Sequence, residues 1–205
     1  AYVDRVNVGF AALTMNRDLG LSAAAFGLGG GLFFVAYVLF EVPSNLAMER
    51  VGARIWIARI MITWGLVGIG SAFVTGPVSF ATARFLLGAA EAGFFPGVIL
   101  YLTYWFPKAY RARIVAMFMV AIPLSSFFGS PLSAALLTLD GAASLRGWQW
   151  LLIMEAIPAV LLGIAALALL PSRPAEAAFL SPAERRWLAD RLETERRAAE
   201  AGSSH

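Results

Sequence analysis

Hydrophobic positions along this chain gather into long runs separated by short polar connections. A bilayer-spanning helix needs about 20 predominantly apolar residues, and five runs reach that length: 26–46, 55–74, 78–105, 114–137 and 148–170. Ahead of them, residues 2–15 are apolar but too short to cross, and the chain opens on Ala1 rather than Met. This stretch reads as the later part of a first span whose beginning is missing, with no signal peptide visible ahead of it. The connections hold turn formers: Asn16-Arg17-Asp18-Leu19-Gly20, Thr75-Gly76-Pro77 and Asp140-Gly141. The expected architecture is all-α and membrane-integral, with six spans over residues 1–171 and a cytoplasmic segment over 172–205.

Composition narrows the chemistry. The 205 residues are 60% hydrophobic and 14% charged, against roughly 45–50% and about 25% in soluble domains. Together with a mean hydropathy of +0.73, this leaves too little polar surface to cover a water-soluble globule. There is no cysteine, and the single histidine is the last residue, His205. Thiolate chemistry, a Ser-His-Asp triad and a multi-histidine metal site are therefore excluded. The single lysine, Lys108, lacks the glycines of a phosphate loop. No enzyme activity and no metal are expected. The net charge of +3 does not point to nucleic acid, because the basic residues form no stripe with interleaved aromatics.

Basic residues set the topology. Arg50, Arg54, Arg59, Lys108, Arg111, Arg113 and Arg173 fall on one side of the spans, seven in all, while Arg17 and Arg146 fall on the other. Seven against two places the larger set, and both termini, in the cytoplasm. Pro43, Pro96, Pro123, Pro131 and Pro158 lie inside spans, which neighbouring helices in a bundle can tolerate. The pairs Gly27-x-x-x-Gly31 and Gly93-x-x-x-Gly97 have close-packing spacing. In the tail, Ser181-Pro182-Ala183-Glu184 announces a soluble helix with Ser181 as N-cap and Glu184 completing a capping box. Its apolar stripe of Trp187, Leu188 and Leu192 is expected to lie against the bundle or the membrane surface.

Ionisable residues inside the spans carry the functional signal, since each costs several kcal/mol in hydrocarbon unless it faces partners or water. They are Asp4, Arg5, Glu41, Arg84, Glu91 and Glu155. Glu41 and Glu155 fit span ends and function equally well. Arg84 and Glu91 stand seven residues apart, two helical turns, and so share a face about 10 Å apart along the axis. Gly88 and Ala92 lie near that stripe, and the face is expected to line a cavity. Asp4 and Arg5 point about 100° apart on a helix. Such a set suits an anion-and-proton device: arginine matches a carboxylate with its planar fork, and a carboxylic acid in a low-dielectric cavity can load and release protons near neutral pH. Tyr37 adds a hydroxyl in the glycine-rich second span. A buried ion-pair network that only fixes helix register is the competing account of these charges.

Several motifs stand in register along the chain. They are Tyr2-Val3-Asp4-Arg5-Val6-Asn7-Val8-Gly9, Phe40-Glu41-Val42-Pro43-Ser44-Asn45, Arg84-Phe85-Leu86-Leu87-Gly88 with Glu91-Ala92-Gly93-Phe94-Phe95-Pro96-Gly97, Tyr104-Trp105-Phe106-Pro107 with Arg111-Ala112-Arg113, and Gly147-Trp148-Gln149-Trp150. In order and spacing they resemble the anion:cation symporters, a branch of the major facilitator superfamily, over essentially the whole chain. The superfamily's loop motif between helices two and three is present in relaxed form over 45–54, with Arg50, Gly52 and Arg54 matching, Glu49 for the usual aspartate, Asn45 for a glycine and Ala53 for a basic residue.

The resemblance implies the N-terminal six-helix half of a transporter built from two three-helix inverted repeats, lacking its C-terminal six-helix half. It implies that Arg5 contacts a substrate carboxylate with Tyr37 beside it, and that Asp4 and Glu91 take up protons, with Arg84 pairing one of them in part of the cycle. Ser125 or Ser126 stands where a polar fifth-helix contact is expected. Glu49, Arg50, Gly52, Arg54, Arg111 and Arg113 would form the cytoplasmic gate. The implied partners are small organic anions (sugar acids, tartrate-like dicarboxylates, aromatic acids) and the lipid bilayer of a bacterial inner membrane, with the proton as coupling ion and no cofactor. The open alternatives are a facilitator or anion exchanger on this scaffold, a non-transporting receptor, and a membrane-embedded enzyme.

Overall fold

The computed structural model describes residues 2–171, 173–177 and 179–202, and the side chains of these except at 2–7, 175, 196 and 199–202. The elements are helices α1 (Tyr2–Asp18), α2 (Ala23–Val51), α3 (Ala53–Ser71), α4 (Pro77–Glu91), α5 (Phe94–Trp105), α6 (Lys108–Met119), α7 (Ala121–Leu137), α8 (Gly147–Leu169) and α9 (Pro182–Gly202), with short 3-10 turns at Ala142–Ser144 and Pro174–Glu176. Helices α4–α5 and α6–α7 each make up one membrane-crossing segment. Five segments are long and apolar enough to cross a membrane: Ala23–Val51, Ala53–Ser71, Pro77–Trp105, Lys108–Leu137 and Gly147–Leu169. They coincide with the five apolar runs, because the requirement for length and apolarity acts on sequence directly.

Local chemistry explains the ends. Ser22 caps α2, its hydroxyl accepting the Ala25 N–H at 3.1 Å. Gly52 turns the chain from α2 into α3 at φ 98°, a conformation side chains resist. The ladder between α6 and α7 is interrupted at Val120, where Pro123 lacks an N–H to continue it.

Helix pairing follows an inverted repeat. Helices α1, α2 and α3 correspond to α4–α5, α6–α7 and α8. Exchanging them turns the α2–α4 contact into α1–α7, α3–α4 into α1–α8 and α2–α3 into α7–α8, and returns α3–α8 to itself; every one of these contacts is present. In lipid no hydrophobic driving force joins helices, so close approach of backbones must supply the association. The self-related α3–α8 pair does this reciprocally. A Cβ on Gly65 would stand 3.0 Å from the Ala156 carbonyl oxygen, and one on Gly163 3.1 Å from that of Ala58. By contrast, Gly27 and Gly31, singled out above for their spacing, have nothing within 4 Å. It is Gly29, against the Phe80 ring, that brings α2 onto α4. The Gly93/Gly97 pair does pack, on Ser44 and Met48 of α2. Large apolar side chains such as Val38, Leu39, Phe127 and Leu161 are exposed, as expected of faces that meet lipid or further protein.

The Gly147-Trp148-Gln149-Trp150 motif stitches helix ends together. Trp148 Nε1 donates to Asp18 Oδ2 at the end of α1 (3.1 Å), Gln149 Nε2 to the Ala72 carbonyl after α3 (2.7 Å), and Trp150 Nε1 to the Ala142 carbonyl (3.0 Å). Arg146 Nε also lies 3.7 Å from Asp18 Oδ2. Each bond removes a polar group from an otherwise apolar helix end. A double-mutant cycle on Asp18→Ala and Trp148→Phe in the full-length protein is expected to give a coupling energy of about 1 kcal/mol in thermal unfolding. Additive single effects would show the bond to be inconsequential.

Helix α9 starts with the expected capping box: the Ser181 N–H reaches Glu184 Oε2 at 2.8 Å and the Glu184 N–H reaches Ser181 Oγ at 3.3 Å. Hydrogen bonds from the Ser181 backbone and hydroxyl hold the Glu184 carboxyl below the usual carboxylate range. A lowered folded-state pKa means the box contributes fully above the unfolded carboxylate value and is lost as pH falls through the lower one. Protection factors for the amides of 183–186, taken relative to the intrinsic exchange rate at each pH, are therefore expected to fall below about pH 4, while unchanged protection down to pH 3 would contradict it. Farther along, Glu195 Oε2 accepts the Lys108 backbone N–H at 2.8 Å and lies 4.0 Å from Arg111 Nη2. It thereby caps α6, whose own N-terminus has no side-chain cap. The Phe179 ring stacks on Trp105, centroids 5.9 Å apart. The tail thus docks on the α5–α6 connection.

Candidate transport site

The charged stripe of α4 is buried. Arg84 is 8% and Glu91 2% exposed, so their two-turn spacing does place them on one inward face. The Arg84 guanidinium lies over the Phe33 ring of α2, 4.7 Å from its centroid, a geometry in which the ring's negative face offsets part of the cation's desolvation. Phe33 belongs to a buried cluster with Trp64, Leu87, Ala90 and Ala159, against which Tyr37 packs. The Tyr37 ring sits 6.2 Å from that of Phe33. A small interior cavity of about 30 Å³ touches Arg84, Val8, Trp64, Ser71 and Phe80, room for about one water molecule. Arg84 therefore does border a cavity. Gly88 does not leave the space expected of it, because the Phe33 backbone carbonyl occupies the place its Cβ would take.

Directly after Glu91 the transmembrane rod breaks. Ala92 has φ −56°, ψ 132° and Gly93 φ 83°, ψ 0°, the two central conformations of a type II turn, which needs a positive φ at its second position and hence glycine. The turn swings the Ala92 carbonyl out of the helical ladder. There Ser44 Oγ of α2 donates to it at 2.7 Å, and Trp56 Nε1 of α3 donates to Ser44 Oγ at 3.0 Å. Pro96 lacks the N–H that would otherwise seek the Ala92 carbonyl, so turning that carbonyl away leaves no donor of residue 96 unpaired. A carboxylic acid at a helix discontinuity inside a bundle is a recurring construction for membrane substrate and ion sites.

The remaining expected residues are spread over the molecule. Asp4 and Arg5 lie on α1, but their side chains fall outside those described. Ser125 donates its hydroxyl to the Ile122 carbonyl of its own helix at 2.7 Å, and Ser126 is half-buried one residue on. Glu155 Oε1 of α8 stands 3.4 Å from Ser133 Oγ of α7; Glu41 is half-buried on α2. At the end of the bundle where α2 meets α3, Glu49 and Arg50 are exposed, and Arg54 Nε and Asn45 Oδ1 are buried without a hydrogen-bond partner among the described residues. Arg111 closes the end of α5, donating from Nε to the Phe106 carbonyl (2.8 Å) and from Nη2 to that of Thr103 (3.3 Å), and Arg113 is exposed. Sequence reasoning passed over Ser44, Trp56, Asp18 and Glu195. For Ser44 a signal existed, a hydroxyl one residue after an intra-span proline, but its partner is 48 residues away. Among the described residues no group of three or more His, Asp or Glu is placed to hold a metal ion.

The profile of the Major Facilitator Superfamily matches residues 1–201. This chain belongs to that superfamily. It is accordingly a multi-pass membrane protein of a family of transporters, not of enzymes. The chain is 58% identical over 205 residues to an Agrobacterium vitis protein named, as a provisional assignment, for tartrate transport, covering 100% of this chain and 47% of that one. It is 42% identical over 195 residues to the inner membrane transport protein RhmT of Escherichia coli K12, covering 95% of this chain and 46% of the relative. The chain thus spans about half the length of the curated relatives it matches. The fold is shared with a bacterial homologue of the human lysosomal transporter Spinster in an inward-facing, unoccupied conformation, with a TM-score of 0.79 at 18% identity over 89% of this chain and 43% of that one. In this superfamily the inverted-repeat pairing described above is the expected organisation of one six-helix half.

Proposed function

We propose that the chain is the N-terminal half of a proton-coupled symporter of small organic anions, working by alternating access with a C-terminal six-helix half. The supporting observation is the burial of Arg84 and Glu91 on one face of a membrane-crossing rod, with Glu91 at its break. A buried carboxyl is tolerated in such a place as the neutral acid or beside a cation, which makes its proton exchangeable with the transport cycle. In this reading Arg5 and Tyr37 hold the substrate carboxylate, Asp4 and Glu91 carry protons, Arg84 steadies one of them, and Ser125 or Ser126 adds a polar contact. Glu49, Arg50, Gly52, Arg54, Arg111 and Arg113 form the cytoplasmic gate. Residues 1–171 form the transmembrane bundle and 172–205 the start of the link between halves, both termini lying in the cytoplasm of an inner membrane. The name of the Agrobacterium relative favours a tartrate-like dicarboxylate, with sugar acids and aromatic acids as the other candidates.

Alternating access needs two halves, so these residues alone should not transport. In proteoliposomes holding the full-length protein and an internal pH dye, one of tartrate, sugar acids or aromatic acids should drive acidification. Both Glu91→Gln and Arg5→Ala should lower that signal at least tenfold, the scale of about 1.4 kcal/mol or more. Anion flux without acidification, or flux insensitive to Glu91, would instead indicate a facilitator or exchanger.

A further inference from the structure

The geometry points to Ser44 as a positioning residue for the Glu91 carboxyl, acting through the turn at Ala92–Gly93. This inference rests on the reading of Glu91 as a proton carrier. The hydroxyl of Ser44 is tied on both sides: it donates to the Ala92 carbonyl at 2.7 Å and accepts from Trp56 Nε1 at 3.0 Å. It also sits where a Cβ on Gly93 would fall. Ser44 is itself buried, at 6% exposure. A carbonyl turned out of a helical ladder in a bilayer must find a donor, and among the described residues Ser44 is the side chain that supplies it. Glu91 is the first residue of that turn, so its Cα–Cβ direction follows from whether the turn holds.

Trp56 extends the arrangement to the start of α3, four residues after Gly52 of the gate motif. A displacement of the loop between α2 and α3 therefore reaches the Ser44 hydroxyl through one hydrogen bond, and Glu91 through the next. On the elements packed against α4, the titratable groups are Tyr37, Glu41, Glu49 and Arg50 of α2 and Arg54 and Arg59 of α3, with Arg84 on α4 itself. Ser44 carries no charge, so it acts on Glu91 by geometry.

The test is a pH titration of carboxylic-acid C=O stretches by infrared difference spectroscopy on the full-length protein in detergent, with no substrate added. A band lost in Glu91→Gln reports Glu91. Ser44→Ala is expected to move the midpoint of that band by at least about half a pH unit, roughly threefold in the protonation constant, and Ser44→Thr to restore it. If Ser44→Ala does not fold, Trp56→Phe keeps the ring, removes the N–H that orients the hydroxyl, and should move the midpoint in part. A Glu91 band whose midpoint ignores Ser44→Ala, or ignores Trp56→Phe where that variant stands in, overturns the role of Ser44 alone. A spectrum unchanged by Glu91→Gln overturns the proton-carrier reading as well. A loss of thermal stability without a midpoint shift marks Ser44 as merely structural and also overturns the inference.

Discussion

Gly88→Val is expected to destabilise the full-length protein by about 3 kcal/mol or more, the upper end of overpacking effects. The new side chain would have to occupy the place of the Phe33 carbonyl and carbonyl carbon, the latter 2.9 Å from an ideal Cβ. These are backbone atoms in the middle of α2, so no rotamer change relieves the collision. Either α2 and α4 separate, forfeiting the contacts that substitute for a hydrophobic driving force in lipid, or α2 distorts and strains its hydrogen-bond ladder. The same movement would drag the Phe33 ring from the Arg84 guanidinium it faces at 4.7 Å. Gly31→Val is the matched control, since nothing lies within 4 Å of that position. Its effect on detergent-phase thermal unfolding is expected to stay within about 0.5 kcal/mol. Equal losses in the two variants would refute the α2–α4 interface as described.

Gly93→Ala combines two penalties at one residue. The φ of 83° costs a residue with a Cβ about 1–2 kcal/mol, and that Cβ would collide with the Ser44 hydroxyl. Gly141→Ala carries the first penalty without the second, because its φ is 86° and its surroundings are open. The two variants should therefore lose similar stability from backbone strain, while only Gly93→Ala removes the turn after Glu91. Anion-driven acidification in proteoliposomes is expected to fall at least tenfold in Gly93→Ala and to stay within about threefold of wild type in Gly141→Ala. Comparable acidification in both would mean that the broken rod is not needed for proton coupling.

Much of this architecture follows from constraints that act along the chain alone. A bilayer asks for length and apolarity, and so the spans stood out from residues 26–170 without reference to any partner. Helical geometry puts Arg84 and Glu91 on one face whatever they touch, and their burial followed. The capping box at Ser181 is local over three residues, so it too was readable.

Glycine spacing, by contrast, was right for Gly93 and Gly97 and misled for Gly27 and Gly31, which meet open space while Gly65, Gly88 and Gly163 take close contacts. Spacing specifies that small residues share a face, but the helix that face meets depends on how several rods cross. The same holds for the stitch from Trp148 to Asp18, 130 residues apart, and for Glu195 capping α6 from 87 residues away. The break after Glu91 is of the same kind. Gly93, Pro96 and Gly97 read only as a packing pair and a tolerated proline within one span, and a flipped carbonyl in hydrocarbon persists only if a donor arrives from elsewhere. The spans and the charged stripe thus belong to the one-dimensional pattern. The partners that satisfy each displaced polar group come from helices distant in sequence, and packing in three dimensions decides them.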